Sequence, residues 1–374
     1  MKLKRLLKFL IGVELDPFLG SDWHGLFQRS PIIVYDIGAS GELFSPYHLE
    51  ASKVLKFYGF EPEQVQFQKL EEKYRGREYI ELRQVAICDK DGPVTFFRCT
   101  DSPSLSSVYD RDGYGKAHEA VEIEGVRLDT IPQRFNFPAA DFVKMDTEGN
   151  ELMILCSGSN MLSNNILGVW TEFTFWRNPG DQGTLFHEID KLMNKAGFIL
   201  FDMQVNRGQF SRVGGKKGKM RSGDALYLCD FSAYYHRNCE RIENNEMRNK
   251  LFKLVSLCVT TGYLDYAIEI LDFGSDKGLV DKTEFKKLAS QFVATTDISE
   301  LLPDFPGRLN LALMCDVFSS MLHMYSKKGI PRSSNRIGND WPFTVRRRQP
   351  PDIIHCNNAV FGGDESGNKS IKLP

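Results

Sequence analysis

The segment FVKMDTEGNELMIL, residues 142–155, places Asp146, Glu148 and Glu151 directly after a short apolar run. Carboxylates at such a point can take a proton from an alcohol, orient an acceptor, or hold a hard cation such as magnesium. A plainer account is a polar turn opening a helix, with Thr147 or Asn150 as cap and Glu151 favouring the dipole. That account covers part of Glu151 and leaves Asp146 unexplained. A second constellation is VYDIGASG, with Asp36, Gly38, Ser40 and Gly41 in a D-x-G-x-x-G turn. Glycine there lets the backbone turn sharply and approach a ligand. Glu42 and Leu43 stand where a full dinucleotide fingerprint would continue in glycine, so a tight turn before a helix reads the same residues equally well. In GFEPE, Glu61 follows that turn by about twenty residues, the spacing of a carboxylate that hydrogen-bonds a ribose diol. Adenine dinucleotides and S-adenosylmethionine both carry that diol. Glu172, in ILGVWTEF, adds a third carboxylate to Asp146 and Glu148 at the end of a further apolar run.

The elements that must position these residues alternate in type. Apolar runs at 32–38, 54–63, 79–87, 142–145, 166–173, 198–204 and 225–230 read as strands, and 93–99 as a sheet extension or a hairpin. A helix is expected after 63 with Val65, Leu70 and Tyr74 inward, and another over 185–197 stopped by Gly197. This is the pattern of an α/β fold with a doubly wound, mostly parallel sheet, in which ligands lie at the carboxyl ends of the strands. Beyond 236 the spacing turns helical: Met247, Leu251, Leu254, Val255 and Cys258, then Leu264, Ala267, Ile268 and Leu271. Asp281 and Glu284 resemble a capping box before Phe285, Leu288 and Phe292, and 311–325 gives a fourth helix. The expected organisation is an N-terminal helical segment over 1–30, a catalytic domain over 31–235, a helical domain over 236–330 and a disordered tail over 331–374.

Composition narrows the class. The net charge of −2 gives no global basic field for nucleic acid. Eight scattered cysteines without metal-ligand spacing read as reduced thiols of a cytoplasmic protein. No apolar run spans a bilayer. In residues 1–15, Leu3, Leu6, Leu7, Leu10 and Ile11 share a helical face opposite Lys2, Lys4 and Lys8, which suits packing on the domain or contact with a membrane surface. His24, His48, His118 and His187 form no motif. The hydroxyl-rich SPSLSSVYD, 102–110, suits a pocket wall or an ordinary polar loop. Arg207, Arg212, Lys216, Lys217, Lys219 and Arg221 suit a solvated loop or an anionic acceptor.

The order VYDIGASGELF, FYGFEPEQVQFQKLEE, QVAICDKDGPVTFF, VEIEGVRLDTI and DFVKMDTEGNELMILCSG resembles the FkbM-type S-adenosylmethionine-dependent methyltransferases over residues 31–230. FEP and D-x-EG-x-E are the most specific parts, and the glycine turn is one residue shorter than the family's. The resemblance implies a class I, Rossmann-like methyltransferase fold and O-methylation of a sugar, glycan or related natural product. It puts Asp36, Gly38, Ser40 and Gly41 around the methionine part of the cofactor and Glu61 on the ribose. Gln84–Ala86 would flank the adenine, through Val85 and Ala86. Asp146 or Glu148 would act as base or orient the acceptor, with Glu172 in reach. Magnesium is an alternative use of the three acids, disfavoured because no His–carboxylate cluster accompanies them. A nicotinamide-dependent oxidoreductase and a non-catalytic binding module are the competing readings. The helical domain would serve acceptor choice or self-association.

Overall fold

A computed structural model of the chain describes residues 30–41, 43, 55–110, 118–177, 183–207, 218–286, 288 and 289. The segments expected at 1–15, 311–325 and 331–374, and most of the basic loop (208–217), lie outside them.

The central element is a seven-stranded sheet in the order β3-β2-β1-β7-β8-β10-β9. Its strands are β1 (Ile32–Ile37), β2 (Leu55–Phe60), β3 (Ile80–Arg83), β7 (Phe142–Met145), β8 (Gly168–Thr174), β9 (Phe198–Arg207) and β10 (Met220–Cys229). β1, β2, β3, β7 and β8 pair in parallel, and β10 runs antiparallel to both β8 and β9. The mostly parallel sheet is as expected. Every residue of β1 and β7 is buried, so both faces are covered, which is why these strands read as unbroken apolar runs. Chain order reverses between β1 and β7, the switch point at which such sheets open a crevice.

Two expectations change. The run at 79–87 is two strands, because the chain leaves the main sheet after Arg83 and re-enters pairing as β4 (Ala86–Cys88). β4 joins a separate three-stranded sheet, β4-β6-β5, with β5 (Gly92–Cys99) and β6 (His118–Arg127). The 93–99 run is thus the antiparallel partner of β6, whose alternating glutamates and Val121, Ile123 and Gly125 carry a strand pattern. In the helix after β2, α1 (Gln64–Tyr74), Leu70 and Tyr74 are buried, but Val65 is exposed on the outer side of the first turn.

Further helices are α2 (Ile131–Phe135), α3 (Glu151–Ser157), α4 (Ser159–Asn164), α5 (Phe186–Ala196), α6 (Phe231–Asn238), α7 (Asn244–Thr261) and α8 (Leu264–Asp276). Gly197 stops α5 in a left-handed conformation, φ +86°. Met247, Leu251, Leu254, Val255 and Cys258 of α7 are buried, and they belong to the same apolar cluster as the sheet. The Tyr266 hydroxyl donates to the Cys229 carbonyl at 2.7 Å. At the end of the sheet away from the crevice, Asp141 is buried and accepts from the Ile33 N–H (2.9 Å), Lys250 (2.8 Å) and Lys253 (2.7 Å). Two charges of α7 therefore close on the mouth of β7. Among the described residues, no helix is long and apolar enough to cross a membrane.

Candidate active site

Four strand ends are stitched together by backbone. Gly38 and Ala39 N–H donate to the Phe60 carbonyl (3.0 and 3.2 Å), Asp146 N–H to Ile37 (3.1 Å), and Glu61 N–H to Arg83 (3.1 Å). Gly38 has φ +76°, and a Cβ there would overlap the Asp146 carbonyl, so only glycine lets the β1 turn lie against the β7 turn. Between these ends lies a cleft, lined among others by Gly38, Ser40, Glu61, Ile87, Ser107 and Asp146.

The loop after β7 has a built-in clasp. Glu151, almost fully buried, accepts from the Thr147 N–H (2.9 Å), the Thr147 hydroxyl (2.9 Å) and the Gly149 N–H (3.2 Å) through one oxygen. Glu148 sits between these bonds at φ +58°, a conformation costly for a residue with a Cβ and sustained only where the surroundings impose it. Two neighbours hold the loop from outside. The Ser107 hydroxyl donates to the Glu148 carbonyl (3.2 Å), and the Thr184 hydroxyl donates to the Gly149 carbonyl (2.9 Å). Neither Thr147 nor Asn150 caps α3: Asn150 turns its amide to the Ile87 carbonyl (3.3 Å) instead. Glu151 therefore does more than favour a helix dipole, because it fixes the backbone on which Asp146 and Glu148 stand.

The electrostatics centre on Lys144, the one polar residue of β7. Its ammonium lies 3.2 Å from Asp36 Oδ1, 3.2 Å from the Gly38 carbonyl oxygen and 3.9 Å from Asp146 Oδ2. Burial opposes its charge, but Asp36 and Asp146 outweigh this and raise its pKa. One oxygen each of Asp146, Glu148 and Glu172 lie within 4.8 Å of one another, a group that can hold a metal ion. Burial, then the charges of Asp146 and Glu148, push Glu172 well above the carboxylate range. Asp224, which pairs in register with Glu172, is pushed up to about 7 by burial and by Asp146, although Lys144 and the Trp170 indole act against this. At the other end of the cleft, Glu61 accepts the Glu63 N–H at 2.8 Å, yet burial carries it up to about 7.

Of the residues expected from sequence, Gly38, Ser40, Glu61, Ala86, Asp146 and Glu148 line the cleft. Asp36 is wholly buried against Lys144, and Val85 is buried in the apolar cluster beside the cleft. Gly41 lies outside the lining, with Gln66 the nearest side chain, and Glu172, also outside it, joins Asp146 and Glu148 in the acid group. The SPSLSSVYD loop supplies Pro103, Ser104, Ser106, Ser107 and Val108 to the wall, as the pocket alternative held. Lys144, Asp224 and the clasp role of Glu151 were not anticipated. Lys144 carried a signal, since a lysine within an otherwise apolar strand buried on both faces needs a partner.

Residues 36–200 match the family model described as Methyltransferase FkbM domain. A search of curated proteins gives no match. Similar solved structures include a methyltransferase FkbM from Methylobacillus flagellatus, 14% identical, covering 55% of this chain and 47% of that one, with a TM-score of 0.30. The CurJ carbon methyltransferase is 8% identical, with coverages of 53% and 48% and a TM-score of 0.31. The N-terminal domain of EvdMO1, solved in the presence of SAH and D-fucose, is 9% identical, with coverages of 55% and 79% and a TM-score of 0.28. The chain spans about half the length of the first two. The segment that matches the methyltransferase FkbM domain, residues 36–200, is the one whose motifs lie on the strand ends around the cleft.

Proposed function

We propose that this chain transfers a methyl group from S-adenosylmethionine to a hydroxyl oxygen of a sugar, glycan or related natural product. The observation that carries the reading is one cleft with a buried carboxylate at one end, Glu61, and carboxylates at the other, Asp146 and Glu148, joined by a glycine turn that no other residue fits. The donor set suits the cofactor. Glu61 would accept the hydroxyls of its ribose diol, Ala86 and Ile87 would flank its adenine, and the Gly38–Ser40 backbone would meet its methionine part. When bound, S-adenosylmethionine supplies an electrophilic methyl on a cationic sulfonium. The chain's task is then to align an acceptor oxygen with it, which in favourable systems supplies about 7–11 kcal/mol.

Asp146 or Glu148 takes the hydroxyl proton as the oxygen attacks, a contribution of typically ~10²–10⁴-fold. Glu148 owes its place to the strained turn that Glu151, Ser107 and Thr184 hold, so its carboxylate is pre-set rather than recruited. A magnesium ion on Asp146, Glu148 and Glu172 is a second reading, favoured by the convergence of the three oxygens. A chelator that abolishes methyl transfer, restored by added magnesium, would establish it.

Calorimetry decides the cofactor class: micromolar binding of S-adenosylhomocysteine with none of NAD(P) is expected, and the reverse would overturn the proposal. Methyl transfer to a panel of free and linked sugars then tests the acceptor. Asp146→Asn and Glu148→Gln should each lower turnover, one of them by ~10²-fold or more, with little loss of S-adenosylhomocysteine affinity. Full activity in both variants would remove the base assignment.

A further inference from the structure

Lys144 contacts the Gly38 and Asp146 turns, both of which line the cleft. Its ammonium holds Asp36 and the Gly38 carbonyl on the cofactor side and faces Asp146 on the acceptor side. A lysine buried only to neutralise Asp36 would form a closed pair. This one is also turned toward an acidic wall. Lys144 pairs with Asp36 on β1, and two residues further along the same sheet face come Gly38 and Asp146, followed across the sheet by Glu172 and Asp224, themselves in register. Glu148 joins Asp146 and Glu172 in the converging group. The wall is therefore lined by carboxyl groups, with one fixed positive charge set beside Gly38 and Asp146.

Resting on the proposed reading of the site, we infer that Lys144 sets how the cleft discriminates between cationic S-adenosylmethionine and neutral S-adenosylhomocysteine. The two ligands differ by one methyl group and one positive charge. An acidic wall attracts the sulfonium and does nothing comparable for the thioether. A buried ammonium in that wall opposes the sulfonium and leaves the thioether nearly untouched, and charges there are screened less than in bulk water. Lys144 thus limits the preference for substrate over product while the carboxylates stay available to the acceptor. Asp36, by holding Lys144, governs how much of its charge reaches the cleft.

The test is the ratio of the two dissociation constants by calorimetry on the full chain. Lys144→Met should shift the ratio about five- to tenfold in favour of S-adenosylmethionine, and Asp146→Asn by a similar factor the other way. Loss of Lys144 takes the ammonium away from the buried Asp36, so Asp36→Asn and Asp36→Asn/Lys144→Met form a second pair. Removing the lysine in that neutral background should again move the ratio toward S-adenosylmethionine by about fivefold. A purely structural role would weaken both ligands alike and leave the ratio fixed in every variant, which would overturn the inference. If the unaltered chain binds neither ligand, the reading of the site falls, and this inference with it.

Discussion

At Glu61, burial raises the carboxyl to about 7 from an ordinary 4.5, so ionisation costs the folded chain more than the unfolded one. The sign follows directly: this stabilisation is complete below the unfolded value and is lost as pH rises through about 7. The loss is on the order of 3 kcal/mol for so buried a group. Asp224, also raised to about 7, acts in the same direction. Urea unfolding should therefore show stability falling as pH rises toward about 7, and Glu61→Gln should remove part of the decline, since Asp224, Glu172 and Glu151 are raised as well. Binding runs opposite to folding. A ribose diol prefers the ionised acid, so affinity for S-adenosylhomocysteine should rise across that pH range in the unaltered chain and stay flat in Glu61→Gln. An affinity independent of pH in both would remove Glu61 from the diol.

At the scale of elements, the β7–α3 turn is a unit, and its parts fail together. Glu151→Ala leaves three donors without their shared acceptor and frees Glu148 from its left-handed conformation. We expect destabilisation of about 2–4 kcal/mol, read by denaturant unfolding, with Glu151→Gln recovering part of it. Gly38→Ala tests the contact between the β1 and β7 turns. The added Cβ meets backbone rather than a movable side chain, and the positive φ adds strain. Loss of S-adenosylhomocysteine binding with the fold retained by circular dichroism is the expected result. Undiminished binding would show that the turns need not touch. Of this unit, the acids, the glycines and the strand before them were legible in sequence. The clasp was not, because a glutamate at the first helical position has the same sequence signature whether it serves the dipole or reaches back to its own loop.

For the whole molecule, the expected boundary at 235 turns on how the helices after it pack. α7 buries its apolar face in the sheet's own cluster and sends Lys250 and Lys253 to Asp141. The lysines hold Asp141 below the usual carboxylate range in spite of complete burial, while burial itself draws Lys253 down. Removing one partner of such a group typically costs ~3–5 kcal/mol, so Asp141→Ala should lower stability by about that amount. A chain ended at residue 239 should unfold at markedly lower urea than the full chain, since the sheet would lose its cover. Equal midpoints would mean that 31–235 folds on its own, as the sequence pattern suggested.

Sequence alone determined the strand order of motifs, the mostly parallel sheet and the three strand ends that carry Gly38, Glu61 and Asp146. Local chemistry fixes these: unbroken apolar runs need cover on both faces, and a glycine or acid at their ends has a readable reason to be there. Tertiary structure decided what depends on residues far apart in the chain. It turned Asp36 inward to Lys144, set Asp224 beside Glu172, split 79–87 between two sheets and brought α7 onto the core. Those outcomes rest on the partners that buried charges and apolar faces find, and no spacing within one segment records the partner. The stretch FVKMDTEGNELMIL announced its acids, but only the folded chain shows that its lysine and its last glutamate are what hold them in place.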